Sequence, residues 1–219
     1  MRKVRAAFCA SAGTLVLQGT NLYTGNTYLN AGTLKIDGSG SLNNGNYAGN
    51  ITDNGTLIFN TSTNQTLGGI ISGSGSFTQS GSNITTLTGR NIYTGATTIS
   101  AGRLKQTNWG SSSGFAISSG AVYELANASG EIYATDRQGI YTGNGTIEKT
   151  GAGTANLYIN GGSSVSLGAN ALIDVRAGVL QLGYGFNGSW SGNQSNLNIE
   201  DGAEFRMWDA RAVNIGALT

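Results

Sequence analysis

The sequence predicts an all-β solenoid, a rod of stacked coils of chain, and three observations carry that prediction. The chain repeats itself: residues 17–35 (LQGTNLYTGNTYLNAGTLK) and 87–105 (LTGRNIYTGATTISAGRLK) are identical at eleven of nineteen positions. Within that long repeat a shorter unit recurs every 20–25 residues or so, the period of one solenoid coil. The composition also favours strands over helices. It has 36 Gly, no Pro and 38% apolar residues, in short alternating runs of Ile, Leu, Val, Tyr and Phe among Ser, Thr and Asn.

The short unit is an apolar residue, two or three polar ones, a Gly, and then an alternating apolar run. It reads Leu29-Asn-Ala-Gly32-Thr-Leu34 first, then Ile51-Thr-Asp-Asn-Gly55-Thr-Leu57, Ile99-Ser-Ala-Gly102-Arg-Leu104 and Ile117-Ser-Ser-Gly120-Ala-Val122. Val175-Arg-Ala-Gly178-Val-Leu180 and Ile199-Glu-Asp-Gly202-Ala-Glu-Phe205 complete the set. Each predicts strand, tight turn, strand. The Gly supplies the positive φ that other residues adopt at a cost, and alternation sends every second side chain inward.

One turn glycine per unit gives Gly13, Gly32, Gly55, Gly75, Gly102, Gly120, Gly145, Gly178 and Gly202, at intervals of 19, 23, 20, 27, 18, 25, 33 and 24. On this count the 70-residue repeat spans three units. The chain makes nine or ten coils, and the 33-residue interval holds a loop around Gly161-Gly162. At ~4.8 Å per coil the rod is on the order of 45 Å long. Residues 1–12 precede the repeats and residues 13–219 form the solenoid. A sandwich would not explain the self-similarity, and a propeller needs a blade period of roughly 40–45 residues that is absent.

Composition narrows function. Charged residues are only 11%, with a net charge of +1, seven basic and two acidic side chains in residues 1–110 and five and nine in residues 111–219. Neither half suits a phosphate backbone, so nucleic acid is not an expected partner. There is no His and a single Cys9, which removes the commonest general base and any internal disulfide. No cofactor and no metal is expected. The N-terminus has a basic start and Ala10-Ser11-Ala12 but no apolar core between them, so it reads as a start inside a longer reading frame. No apolar run is long enough to span a membrane as a helix.

The stretches Gly13–Gly25 to Leu34 and Leu87–Gly95 to Leu104 resemble the autotransporter-associated β-strand repeat, also called the passenger-associated transport repeat. Gly145–Thr154 and Asn214–Leu218 echo it more loosely. The resemblance implies a right-handed parallel β-helix exported by type V secretion or a related route to the bacterial surface. It further implies a translocator barrel outside this chain, a truncated C-terminus, and no catalytic residues to carry over. Arg90 and Arg103 stand where the family has small or neutral residues.

Candidate sites are few. Trp109 and Trp190, in Gly/Ser-rich stretches, and Tyr23 and Tyr93, in Tyr-Thr-Gly turns shared with Tyr141, are the candidate surface contacts. Their partners would be surface glycans or matrix proteins. Asn21 and Asn91 are candidates for a stacked amide ladder, and Asn50, Asn64 and Asn83 head Asn-x-Ser/Thr sequons. Glu200, Asp201, Glu204 and Asp209, with Arg206 and Arg211, read as a solvated face. Asp136-Arg137 and Asp174/Arg176 read as surface pairs, the acids being scattered one per coil. The expected function is a non-enzymatic stalk supporting passenger folding, export and adhesion. The alternatives are a carbohydrate-active enzyme on the same scaffold, which needs grouped carboxylates, and a passive spacer.

Overall fold

The computed structural model describes residues 8–110, 112–134, 139–157, 164–182, 190, 192–207 and 216–218. All its strand pairs are parallel, and its sheets are the faces of one solenoid. The first face holds eight strands, from Thr14–Leu17, Thr33–Gly38 and Thr56–Thr61 through Ser76–Gln79, Thr97–Ile99 and Gly114–Ile117 to Ile140–Gly143 and Ser164–Leu167. The second holds another eight, from Asn46–Tyr47, Gln65–Leu67 and Ile84–Leu87 through Arg103–Gln106, Val122–Leu125 and Thr146–Lys149 to Leu172–Val175 and Asn196–Ile199. The third face carries two four-stranded sheets, Phe8–Ala10 to Ile71–Ser72 and Glu131–Tyr133 to Glu204–Met207. Backbone bonds from Ile92 N to Ile71 O, Asn91 N to Trp109 O and Gly110 N to Tyr133 O carry the ladder between them. Pairing of Phe8–Ala10 with Thr27–Leu29 begins inside the segment expected to precede the repeats.

The strand–x–x–Gly–strand unit is the corner piece, and it serves all three corners. Around Gly32 and Gly55 it joins the third face to the first. Around Gly102 and Gly120 it joins the first to the second, and around Gly178 and Gly202 the second to the third. Gly32 (φ +79°) and Gly102 (φ +64°) show why glycine is needed. Their backbones lie in the left-handed region, and an added Cβ would collide with the carbonyl oxygens of Gly13 and Gly81 on the coil before.

This versatility corrects the coil count. The marked glycines precede first-face strands up to Gly75, second-face strands from Gly102 to Gly145, and third-face strands at Gly178 and Gly202. The 27- and 33-residue intervals therefore each hold one coil plus one extra face. The solenoid has about eight coils, and at ~4.8 Å apiece it is roughly 40 Å long. The loop expected at Gly161-Gly162 lies outside the described residues.

The repeat phase is corrected for the same reason. Leu34 aligns through Leu57 and Phe77 with Thr97, three coils on. Its sequence counterpart Leu104 lies one face further, on the second sheet. Each copy still closes its own coil, with Thr14 opposite Thr33 and Ile84 opposite Arg103. The repeat thus specifies a closed coil and leaves open the face on which that coil starts.

Inward side chains stack in columns along the axis. One runs Leu34, Leu57, Phe77, Thr97, Phe115, Tyr141 and Val165, all but Thr97 apolar or aromatic and all buried. Another runs Leu67, Leu87, Gln106, Leu125, Lys149 and Val175. Each apolar member removes its own surface and its neighbours' from water, which fixes the register coil by coil. Tyr141 shares the Tyr-Thr-Gly text but lies on a strand rather than at a corner, with its ring 5.3 Å from that of Phe115 at 7°.

Asn21 and Asn91 do not stack on one another. The Asn21 amide donates to the carbonyls of Gly19 and Ser41, while Asn91 Oδ1 accepts from Ile71 N. The coil-to-coil amide bonds instead include Asn50 N to Asn26 Oδ1 and Ile70 N to Asn50 Oδ1.

Candidate functional site

The densest chemistry lies on the outside of the second face. Strand alternation turns Tyr123, Ile147 and Ile173 inward and Glu124, Glu148 and Asp174 outward. Register then aligns Lys105, Glu124, Glu148, Asp174 and Asn198 on five consecutive coils. The acids are one per coil, as the sequence implies, but they are in line rather than scattered. Corner lengths, invisible in composition, put them there.

Each carboxylate in this column is matched. Arg103 bridges Glu124, at 2.8 Å, and Glu148. Lys105 Nζ lies 3.0 Å from Glu124. Arg176 Nε reaches Asp174 at 2.7 Å and Glu148 at 3.1 Å, so it too spans two coils. Thr150 and Asn198 donate to Glu124 and Asp174, both at 2.7 Å. Burial alone would raise the Glu124 pKa, but the bonds from Thr150, Lys105 and Arg103 outweigh it and hold the carboxyl below its usual range. Three acids face three cations, and the column is an electrostatic staple across neighbouring coils.

Two of the four candidate contact residues are buried. Tyr93 is only 3% exposed because its ring packs 6.4 Å from Phe77 inside the solenoid. Trp190 is 2% exposed, edge-on to Phe205 at 6.4 Å. Polar neighbours in sequence had pointed outward for both, but both pack within the buried core. Tyr23 is half-buried, edge-on to Tyr47 at 5.4 Å, with its hydroxyl 3.1 Å from Thr27. Trp109 is also half-buried, with its ring 4.4 Å from that of Tyr133 and the Arg90 guanidinium 5.2 Å from its centroid. Of the sequons, Asn50 and Asn64 are exposed, whereas Asn83 is buried and bonded to Gln79 and Thr85.

Elsewhere the acids are paired or isolated. Glu204 pairs with Arg206, and Glu200 approaches Arg176 at 3.8 Å. Asp136, Arg137, Asp209 and Arg211 lie outside the described residues. Asp53 is buried, accepts from Gly55 N at 2.9 Å, and leaves Oδ2 without a partner. Its pKa is pushed up to about 6 by burial. Lys149 is fully buried, donating to the carbonyls of Thr150, Gly151 and Ala177, and burial brings its pKa down to about 8. Among the described residues no three His, Cys, Asp or Glu side chains are grouped so as to hold a metal ion, and no helix is long and apolar enough to cross a membrane.

The passenger-associated-transport-repeat family matches residues 10–36 and 77–105. These are the two stretches that each close one coil. The chain is 37% identical over 215 residues to the adhesin BmaC autotransporter of Brucella suis biovar 1 (strain 1330), an alignment covering 88% of this chain and 6% of that protein. The chain thus spans a small fraction of the curated relative's length. Comparison with solved structures gives no match. In its two repeats the chain is thus similar to the passenger-associated-transport-repeat family, and over most of its length to one stretch of an autotransporter adhesin.

Proposed function

We propose that the chain is a non-enzymatic stalk of a surface passenger, with an adhesive role and a part in folding the passenger after export. The observation that supports this most is the occupied carboxylate column. Glu124, Glu148 and Asp174 are each bonded to Arg or Lys side chains that themselves tie coils together. A catalytic pair needs one carboxyl free to exchange a proton or attack. The fold supports the folding role. Each coil pairs in parallel with the one before, so a chain emerging end first is templated step by step. The adhesive role is taken from the relative, which is named an adhesin.

The test is surface display of the chain on a bacterium through a heterologous translocator. Attachment to glycan- and matrix-coated surfaces should exceed that of the translocator alone. Intact display with no gain in attachment would reduce the chain to a spacer. The alternative of a carbohydrate-active enzyme draws on one feature, the alignment of Glu148 and Asp174 on adjacent coils. Turnover of any member of a polysaccharide panel, abolished by Glu148→Gln, would favour it over the stalk.

A further inference from the structure

One line on the third face repeats a single backbone arrangement from coil to coil. The residue after each member donates its N–H to the next member's carbonyl: Thr27 to Asn50, Ile51 to Ile70, Asn91 to Trp109, Gly110 to Tyr133 and Ala134 to Asn156. Arg90, which precedes Asn91, thereby stands between Ile70 and Trp109. Arg90, Trp109 and Tyr133 occupy one position on three successive coils, ~4.8 Å apart. Their side chains stack in that order, guanidinium over indole and indole against phenol.

Among the described residues Arg90 is also the one surface cation without a counter-charge. Lys35 pairs with Asp37, Arg103 and Lys105 with Glu124, Arg176 with Asp174 and Arg206 with Glu204, while Lys149 is capped by carbonyls. Arg90 is exposed, and its guanidinium carbon lies over the Trp109 ring. A guanidinium held over an indole by cation–π attraction, with no carboxylate on its N–H donors, keeps those donors for a planar anion. Below it Ile70 is 41% exposed, and beside it Thr88 and Asn108 are neutral and polar. A lone cation in an aromatic and amide line does not suit nucleic acid, which needs rows of cations. It does suit a chain of sugar rings, with C–H faces against aromatic or aliphatic side chains, hydroxyls at amides, and carboxylate on Arg.

We infer that the Arg90–Trp109–Tyr133 line is a binding site for an acidic polysaccharide, a uronate-type chain lying along the rod axis with a carboxylate on Arg90. This deepens the adhesive reading and rests on it. The test is calorimetric titration of the whole chain with a galacturonate oligomer, a neutral galactose oligomer and poly-glutamate. The uronate should bind and the neutral sugar should not. Arg90→Gln should weaken uronate binding about tenfold, as expected for one lost charge-assisted contact, with circular dichroism and thermal midpoint unchanged. Lys105→Gln, which removes an already paired charge, should leave binding as it was. No uronate binding, binding indifferent to Arg90→Gln, or poly-glutamate binding at least as tightly would each overturn the inference. Attachment of displaying cells, measured separately, would stand if only this site failed.

Discussion

The hydroxyl of Tyr93 lies 2.6 Å from Oγ1 of Thr97, and both groups are buried. Thr97 is the small polar break in the aromatic column between Phe77 and Phe115. The Tyr93 ring, 6.4 Å from Phe77, packs beside the column at that break. The other copy of the repeat makes the same pair, Tyr23 to Thr27 at 3.1 Å, with Tyr47 adding a second hydroxyl to Thr27 at 2.8 Å. The Tyr-Thr-Gly-x-Thr signature is therefore a corner lock, and it works at whichever corner the copy occupies.

Thr97→Val keeps the shape and removes the hydroxyl that Tyr93 and Ser112 share, leaving Tyr93 with Ser112 alone. It should destabilise the chain by about 0.5–1.5 kcal/mol, the net worth of a lost buried hydrogen bond. Denaturant unfolding checks this.

Gly102 and Gly120 both have positive φ, +64° and +78°, but only Gly102 faces an adjacent backbone. Gly120→Ala should cost roughly 1–2 kcal/mol, the left-handed penalty for one residue. Gly102→Ala should cost more, because its Cβ collides with Gly81 O on the neighbouring coil. Thermal midpoints of the two variants make the comparison.

Asp53 and Lys149 set opposite pH trends. The folded-state pKa of Asp53 is raised to about 6 by burial, so its contribution is most favourable below the unfolded value of roughly 3.9 and is lost as pH rises through about 6. The Lys149 pKa is lowered to about 8, also by burial. The unfolded chain then holds the extra proton, and stability rises between pH 8 and the unfolded value near ~10.4. Asp53→Asn should flatten the first slope and Lys149→Met the second, as read by denaturation across pH.

Glu148 accepts from both Arg103 and Arg176. Glu148→Gln leaves two guanidinium groups half-matched and should cost about 1–3 kcal/mol, on the scale of hydrogen bonds to charged groups. Because Arg103 and Arg176 are partly exposed, the loss should shrink in high salt. Thermal melts at two ionic strengths test it.

The corners were legible because glycine and alternation are local signals, and Gly32, Gly55, Gly102, Gly120, Gly178 and Gly202 all sit at corners. What escaped depends on register. Glu124, Glu148 and Asp174 follow one another at unequal intervals, so no fixed period links them, and only corner lengths bring them into line. Tyr93 and Trp190 sit among polar residues, so nothing local shows that they turn inward. The repeat phase escaped because one corner sequence fits every corner.

That phase is also the most direct test of the fold. In a Cys9→Ser background, nitroxides at Lys35 and Thr98 should lie three coils apart on one outward column, roughly 14 Å, because Lys35 aligns through Ile58 and Thr78 with Thr98. Dipolar broadening should be strong for that pair and weak for Lys35 with Lys105, its sequence counterpart. Strong coupling of Lys35 to Lys105 with none to Thr98 would mean that the copies lie whole coils apart, contradicting the stacking described.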